Sequence, residues 1–161
     1  MNEIERIKDQ LTRGFDGDAW YGPSLADALA DVPAEQAAAR SLPHAHSIWE
    51  IVLHVAAWEN AVRTRLETGL VDLPAEGDWP IVGDTSARTW SETLAQLERG
   101  HRELSEAIAR LGDDRLEQTL GSKRDRPTGG GVSVYTTLHG VIQHTAYHTG
   151  QIALLKKASL R

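Results

Sequence analysis

The chain has 161 residues, 25% of them charged and 40% hydrophobic, which is typical of one globular domain with a sizeable core. Its net charge of −6 argues against a basic surface for nucleic acid or an anionic membrane. Cysteine is absent, which excludes disulfides and leaves histidine, carboxylate and water as metal ligands. No apolar run approaches the ~18 residues of a membrane span, and the charged start "MNEIERIKDQL" lacks a signal-peptide core. We therefore expect a cytoplasmic protein.

The first part of the chain is predicted to be helical with an interruption. The stretch "NEIERIKDQLTRGF" has apolar residues at helical spacing: Ile4, Ile7, Leu11 and Phe15. Glycines and Pro23 then interrupt the pattern, and "PSLADALADV" resumes it with Ser24 as a candidate N-cap. Residues 3–31 therefore form either one helix or two pieces with an irregular middle.

The second predicted helix has clear signals at both ends. "SIWE" at residues 47–50 fits the capping-box pattern, and the helix should run to about Glu67, with Gly69 as its stop. The following "LVDLPAEGDWPIVGD" holds two prolines and two glycines and is predicted to be a loop. Trp79 in this loop is a candidate for the mouth of a pocket.

The third helix is predicted to begin at a second capping box, "TWSE" at residues 89–92, or earlier, near Thr85 or Ser86, and to reach Leu111. A short helical turn is predicted in "DDRLEQTL", and the glycine-rich "GSKRDRPTGGGVS" must be loop. The last helix should run from about Val134 to Ala158.

Four main helices, mostly about 20 residues or longer, predict an all-α protein built as an antiparallel four-helix bundle in a single domain spanning residues 1–161. No alternating strand of useful length is present in the sequence. The long connections between these helices could be crossovers or could line a pocket.

Two histidines of the last helix have the spacing of a metal-ligand pair. His144 and His148 are four residues apart, so their imidazoles lie on one face and can reach one ion. His139 is roughly 140° around the helix from His144 and is predicted to be a bystander. His54 lies at the edge of the apolar stripe of the second helix, where it can join the pair if the two helices are neighbours. Three imidazoles with an open position are typical of a catalytic site.

The remaining histidines have simpler interpretations. His101 lies on the apolar face of the third helix and is interpreted as a core histidine with a hydrogen-bond partner rather than as a pocket residue. His44 and His46 precede a helix in a loop and are predicted to be solvated.

The segments "HSIWEIVLHVAAWENAVRTRL" and "VIQHTAYHTGQIALLKK" resemble the DinB/YfiT-like superfamily of metalloenzymes, and the resemblance extends from the first helix to the last. It implies a four-helix bundle with an unusual connection order. It also implies a divalent metal, often zinc or nickel, held by three histidines that match His54, His144 and His148. Gly150 and Gln151 match the segment after the last ligand, and many members look like homodimers.

The resemblance leaves the reaction open. Some branches of the superfamily use low-molecular-weight thiols such as bacillithiol or mycothiol, whereas other members carry only a DNA-damage-inducible label. Three neutral imidazoles leave a bound ion its full positive charge, so a thiol or water beside it would lose its proton more easily. S-transfer from a thiol cofactor and hydrolysis of a small-molecule substrate both remain open. A non-catalytic metal-binding or stress-response protein and a bundle with incidental histidines are also consistent with the sequence.

Four further side chains are candidates for this chemistry. Glu50 could orient His54 or move a proton as a catalytic residue, although its simpler role is in the capping box. Lys123, Arg124 and Arg126 could bind an anionic substrate or the carboxylates of a thiol cofactor, unless they belong to a solvated loop.

Overall fold

The computed structural model describes residues 1–122 and 129–159, and this part of the chain is mostly helical. Its helices are α1 (Glu3–Phe15), α2 (Leu25–Leu29), α3 (Ala34–Ala38), α4 (Ile48–Thr68), α5 (Ala87–Ala109) and α6 (Val134–Ala158). Two short strands, β1 (Thr119–Leu120) and β2 (Val132–Ser133), pair antiparallel ahead of α6. None of the described helices is both long enough and apolar enough to cross a membrane.

The all-α class and the four-helix bundle are confirmed by the packing of the four long helices α1, α4, α5 and α6. Helix α4 packs against α5 and α6, and α1 packs against the same two helices. Consequently α1 lies diagonally across the bundle from α4, and α5 from α6. The chain thus crosses the bundle twice between consecutive long helices, which explains its long connections. That the whole chain forms one domain stays a prediction.

Local capping explains where the helices begin and end. The Ser47 hydroxyl accepts the backbone N–H of Glu50, whose carboxylate accepts the backbone N–H of Ser47, as predicted for the start of α4. Gly69 ends α4 with a φ of 73°, a left-handed conformation that glycine adopts at little cost. Helix α6 has its predicted bounds.

The start of α5 differs from the first of the two predicted positions. Its N-cap is Ser86, whose hydroxyl accepts the N–H of Thr89, so "TWSE" lies inside the helix. The Thr89 hydroxyl donates to Asp84 instead of capping a later turn. The earlier start near Ser86 is therefore the correct one, and α5 ends at Ala109, slightly before the predicted Leu111.

Of the two alternatives for residues 3–31, the one with two helical pieces and an irregular middle is confirmed. Helix α1 ends at Phe15, and α2 begins after Ser24, which caps it in a capping box with Asp27. A 3-10 turn at Asp113–Arg115 lies in the segment for which the sequence predicts a short helical turn.

Two apolar clusters fill the bundle, and a polar layer lies between them. One cluster includes Trp49 and Ile152, and the other includes Leu66 and Leu138, at opposite ends of α4 and α6. On each of the helices α4, α5 and α6, buried polar side chains lie between the residues of the two clusters: Glu59, His101, Thr145 and His148. His54 lies at the border of the same layer. This layer positions the candidate site.

Candidate metal centre

Three histidines converge where α4 and α6 pack together. Helix α4 supplies His54, and α6 supplies His144 and His148 from successive turns. One ring nitrogen from each can be chosen so that all three lie within 4.8 Å of one another, and the Nε2 atoms of His54 and His144 are 2.9 Å apart. His54 and His148 are each only 5% exposed, and His144 is half-buried. The structure therefore brings together the three histidines that the sequence singled out.

The outer nitrogens of two rings donate to oxygen acceptors, and that of His54 also lies 3.4 Å from the carboxylate of Asp78. The Nδ1–H of His54 donates to the backbone carbonyl of Asp78 at 2.6 Å, and the Nδ1–H of His148 donates to Oε1 of Gln151 at 2.7 Å. We assign these tautomers from the acceptors, because a carbonyl oxygen can only accept. Each ring then presents the lone pair of Nε2 to the space between the histidines. Such partners are the usual means of orienting a metal-binding imidazole.

The third ring, His144, has a buried Nδ1 with no hydrogen-bond partner in the described part of the chain. Burial, together with the neighbouring His148 and His54, lowers the pKa of His144 to about 4, while Asp78 opposes the shift. Burial also lowers the pKa of His54 and of His148, against the opposing effects of Asp78 and Gln151 respectively. The cluster is therefore neutral at physiological pH, the protonation state in which imidazole binds metals.

These residues fit a divalent metal. Nitrogens bound to a tetrahedral ion lie about 3.3 Å apart, which the observed separations reach through small rotations of the side chains. Without an ion, the 2.9 Å contact requires one of the two facing Nε2 atoms of His54 and His144 to carry a proton. Only His144 can carry it readily, because the proton of His54 is on Nδ1. An ion would replace this contact and give all three lone pairs a partner.

The loop between α4 and α5 covers one side of the cluster. The indole of Trp79 stacks between His46, at 3.6 Å, and His54, at 3.9 Å, measured between ring centroids. The carboxylate of Asp78 accepts the indole N–H of Trp58 at 2.7 Å, which anchors the loop to α4. Trp79 thus lies directly over a candidate ligand, and His46 is half-buried rather than fully solvated.

A pocket of about 440 Å³ opens beside the cluster, with His54 and His144 at one end and Arg65 among its lining residues. Its walls include Trp58, Val62 and Val141, so most of its surface is apolar. A volume of this size is typical of small-molecule sites. The larger cleft of about 620 Å³, around Phe15 and Trp90, contains none of the three histidines.

The other predicted site residues lie outside this cluster. Glu50 accepts the Ser47 N–H and pairs with Arg40 at 2.5 Å. Burial raises the pKa of Glu50, but these partners outweigh burial and lower it overall. The carboxylate is thus engaged in the cap, and its catalytic role stays a prediction.

The basic candidates Lys123, Arg124 and Arg126 lie outside the described residues. The His139 ring contacts the tilted ring of Tyr135, with 4.4 Å between the centroids, and lies outside the three-histidine group, as the helix geometry predicts.

His101 forms a second buried centre, with Glu59 as its partner. The His101 Nδ1 lies 3.3 Å from Oε2 of Glu59, and Phe15 stacks on the imidazole at 3.7 Å. The Thr145 hydroxyl lies 3.4 Å from Oε1 of Glu59 and 3.1 Å from the Val141 carbonyl, so it can donate to either. This contact agrees with the interpretation of His101 as a core histidine with a partner.

Sequence reasoning missed several residues around the cluster. Glu59 was detectable as a charged residue within the apolar stripe of the second predicted helix. Trp58 and Arg65 follow His54 at spacings of four and eleven, which place all three on one side of α4. Asp78 gave no such signal, because it lies in an aperiodic loop.

The comparisons with known proteins agree with this geometry. The family model of the DinB superfamily matches residues 23–152, which is most of the chain, so the protein belongs to this superfamily. The matched region contains all three clustered histidines. No curated protein and no solved structure matched.

Proposed function

We propose that this protein is a divalent-metal-dependent enzyme that uses three histidines and an open coordination position to activate a low-molecular-weight thiol for S-transfer. The observation that carries the proposal is the convergence of neutral His54, His144 and His148 beside an apolar pocket. Zinc or nickel suits such an imidazole set. No fourth histidine or carboxylate joins the group within the described residues, which leaves room for a reactant.

The contributions of the protein's own residues follow from their contacts. Asp78 and Gln151 hold the rings of His54 and His148 in the metal-binding tautomer, and Trp79 limits access of water to His54 by stacking on it. The bound ion would supply positive charge that lowers the pKa of a thiol or water next to it. The apolar walls of the pocket can receive an electrophilic substrate and exclude bulk water from it.

Hydrolysis of a small-molecule substrate is the second candidate, because the same site would activate water as well as a thiol. A non-catalytic metal-binding or stress-response protein is the third. The pocket favours the two enzymatic candidates, since a purely structural metal site does not need one.

The metal is tested first, by metal analysis of the purified protein against a His144→Ala/His148→Ala variant. We expect about one zinc or nickel ion per chain in the wild type and a negligible amount in the variant. Equal, negligible contents in both proteins would contradict the metal centre.

The reaction is tested separately, with a chromogenic electrophile and a panel of thiols, in the presence and absence of metal. We expect conjugation that depends on both the thiol and the metal. Metal-dependent turnover without any thiol would favour the hydrolase, and no turnover in a metal-loaded protein would favour the non-catalytic candidate.

A homodimer in the cytoplasm completes the proposal. Tyr147 and Leu154 are 65% and 60% exposed on the same face of α6, which makes this face a candidate dimer contact. Sedimentation of the wild type and of a Tyr147→Lys variant tests it, with a dimer expected for the wild type and a monomer for the variant.

A further inference from the structure

The pocket beside the three histidines contains a buried cation. Arg65, on α4, is 4% exposed and is among the lining residues of the same pocket as His54 and His144. Its Nη2 donates to the backbone carbonyl of Asp72 at 2.9 Å. Burial lowers the pKa of Arg65 while Asp72 opposes the shift, and a guanidinium remains charged at physiological pH.

The surroundings of this cation are shaped to hold it. The guanidinium carbon lies 5.2 Å from the ring centroid of Trp58, a cation–π distance. Gly129 has a φ of +83°, and a Cβ there would come within 3.1 Å of the Arg65 Nη1. A glycine at this position therefore leaves the space that the guanidinium occupies.

The two ends of the pocket differ in charge. Asp78, whose side chain is half exposed, lies at the histidine end, and Arg65 lies towards the other end, across Trp58. The centroid of the Trp58 ring is 6.4 Å from that of the His54 ring, so the guanidinium carbon lies within about 12 Å of the His54 ring. One extended small molecule can span this distance.

We propose that the pocket binds a substrate or cosubstrate with a carboxylate at its far end, and that Arg65 is the residue that receives this carboxylate. The inference rests on the proposed function, because it takes the three histidines as the reacting end of the pocket. A planar guanidinium donates two parallel hydrogen bonds to a carboxylate, and in an apolar pocket such a bond is stronger than in water. The apolar walls would contact the hydrocarbon part of the ligand.

The test compares 6-mercaptohexanoate with 6-mercaptohexanol, which have the same thiol and chain and differ at the far end. Metal content, measured first, tests the metal centre of the proposed function independently of this inference. Both ligands are then titrated by calorimetry into the zinc-loaded and the zinc-free protein, since the charge of Arg65 does not depend on an ion. We expect the wild type to bind the carboxylate about tenfold more tightly in both forms.

Arg65→Gln should reduce this preference to less than about twofold, and Arg63→Gln should leave it unchanged. Arg63 is a matched control because it lies on α4 and bonds Asn60 and Glu67 outside this pocket. A wild-type preference below twofold, or an unchanged preference in Arg65→Gln, overturns the inference even if zinc binds. A preference that persists without zinc supports the inference even if the metal proposal fails.

Two further variants keep the test decisive if Arg65→Gln does not fold. Arg65→Lys keeps the charge but loses the planar fork, so the preference should fall a few-fold, and an unchanged ratio would place the anion elsewhere. Gly140→Leu projects into the pocket from α6, where a Cβ meets open space and leucine is the better helix former. This variant should bind both 6-mercaptohexanoate and 6-mercaptohexanol more weakly. Unchanged affinity for either ligand would contradict the proposed location of the ligand in this pocket.

Discussion

Two buried histidine centres lie in the same polar layer of the bundle and differ in the groups that their imidazoles contact. In the three-histidine cluster, His54 and His148 donate to a backbone carbonyl and to an amide oxygen, and their Nε2 atoms face one another and His144. In the second centre, His101 contacts the carboxylate of Glu59 and stacks on Phe15. Burial is nearly the same, at 5% exposure for His54 and 8% for His101.

The comparison shows that the partner and the neighbours, rather than burial, separate a candidate ligand from a core residue. Burial lowers the pKa of all three clustered imidazoles against the opposing effects of Asp78 and Gln151, and the neighbouring histidines lower that of His144 further. The carboxylate of Glu59 instead gives His101 a partner inside the protein. The first arrangement leaves lone pairs for an external ion, and the second satisfies the ring internally.

Replacing one histidine of each centre by alanine should give the largest difference, which is a difference in zinc affinity. His148→Ala should weaken zinc binding about 10²- to 10³-fold, because one of three ligands is lost, whereas His101→Ala should leave zinc affinity nearly unchanged. Competition with a chromogenic chelator measures both. An equal loss of affinity in the two variants would mean that the centres are not separate.

Removing the carboxylate of the second centre should mainly affect stability. Glu59→Leu leaves the His101 ring nitrogen without its buried partner, so we expect a loss of about 2–3 kcal/mol in the free energy of unfolding. Urea denaturation of the metal-free protein measures it. Glu59→Gln keeps an acceptor oxygen and should lose less. A loss below about 0.5 kcal/mol in Glu59→Leu would contradict a structural role.

Changing the acceptor of His148 tests whether its hydrogen bond orients the ring for metal binding. Gln151→Leu removes the oxygen that holds Nδ1–H, so zinc affinity should fall about tenfold or more. Gln151→Glu keeps an oxygen there and is the matched control, with affinity at pH 7 close to that of the wild type. If Gln151→Leu binds zinc as tightly as the wild type, the hydrogen bond does not orient the ligand.

The smallest expected effect is on the pH dependence of the metal-free protein. Burial lowers the pKa of the clustered histidines from their ordinary 6.5, that of His144 to about 4. The unfolded chain therefore binds more protons than the folded chain between these values. Stability from these groups is complete above pH 6.5 and is lost as the pH falls towards 4.

The dependence of stability on pH is measured by denaturation of the metal-free protein at several pH values. The His144→Ala/His148→Ala variant should lose less stability over the same window, because two of the three groups with lowered pKa are absent. Parallel curves for the two proteins would contradict the neutral cluster.

Much of the fold was predictable because it depends on local physics. The bounds of α4 and α6 follow from a capping box, a terminal glycine and apolar periodicity, which are interactions between residues close in sequence. The start of α5 was ambiguous for the same reason, since both Ser86 and Thr89 can cap a helix. In the structure Ser86 is the cap, and the Thr89 hydroxyl is bound by Asp84.

The sequence by itself determined the all-α class and the side-by-side placement of His144 and His148, because helical spacing requires it. Only the tertiary structure decided that His54 joins them, that Asp78 and Trp79 cover them and that Arg65 lies in the adjacent pocket. These contacts join residues far apart in the chain or lie in an aperiodic loop. Their geometry depends on how the helices pack, which no local pattern encodes.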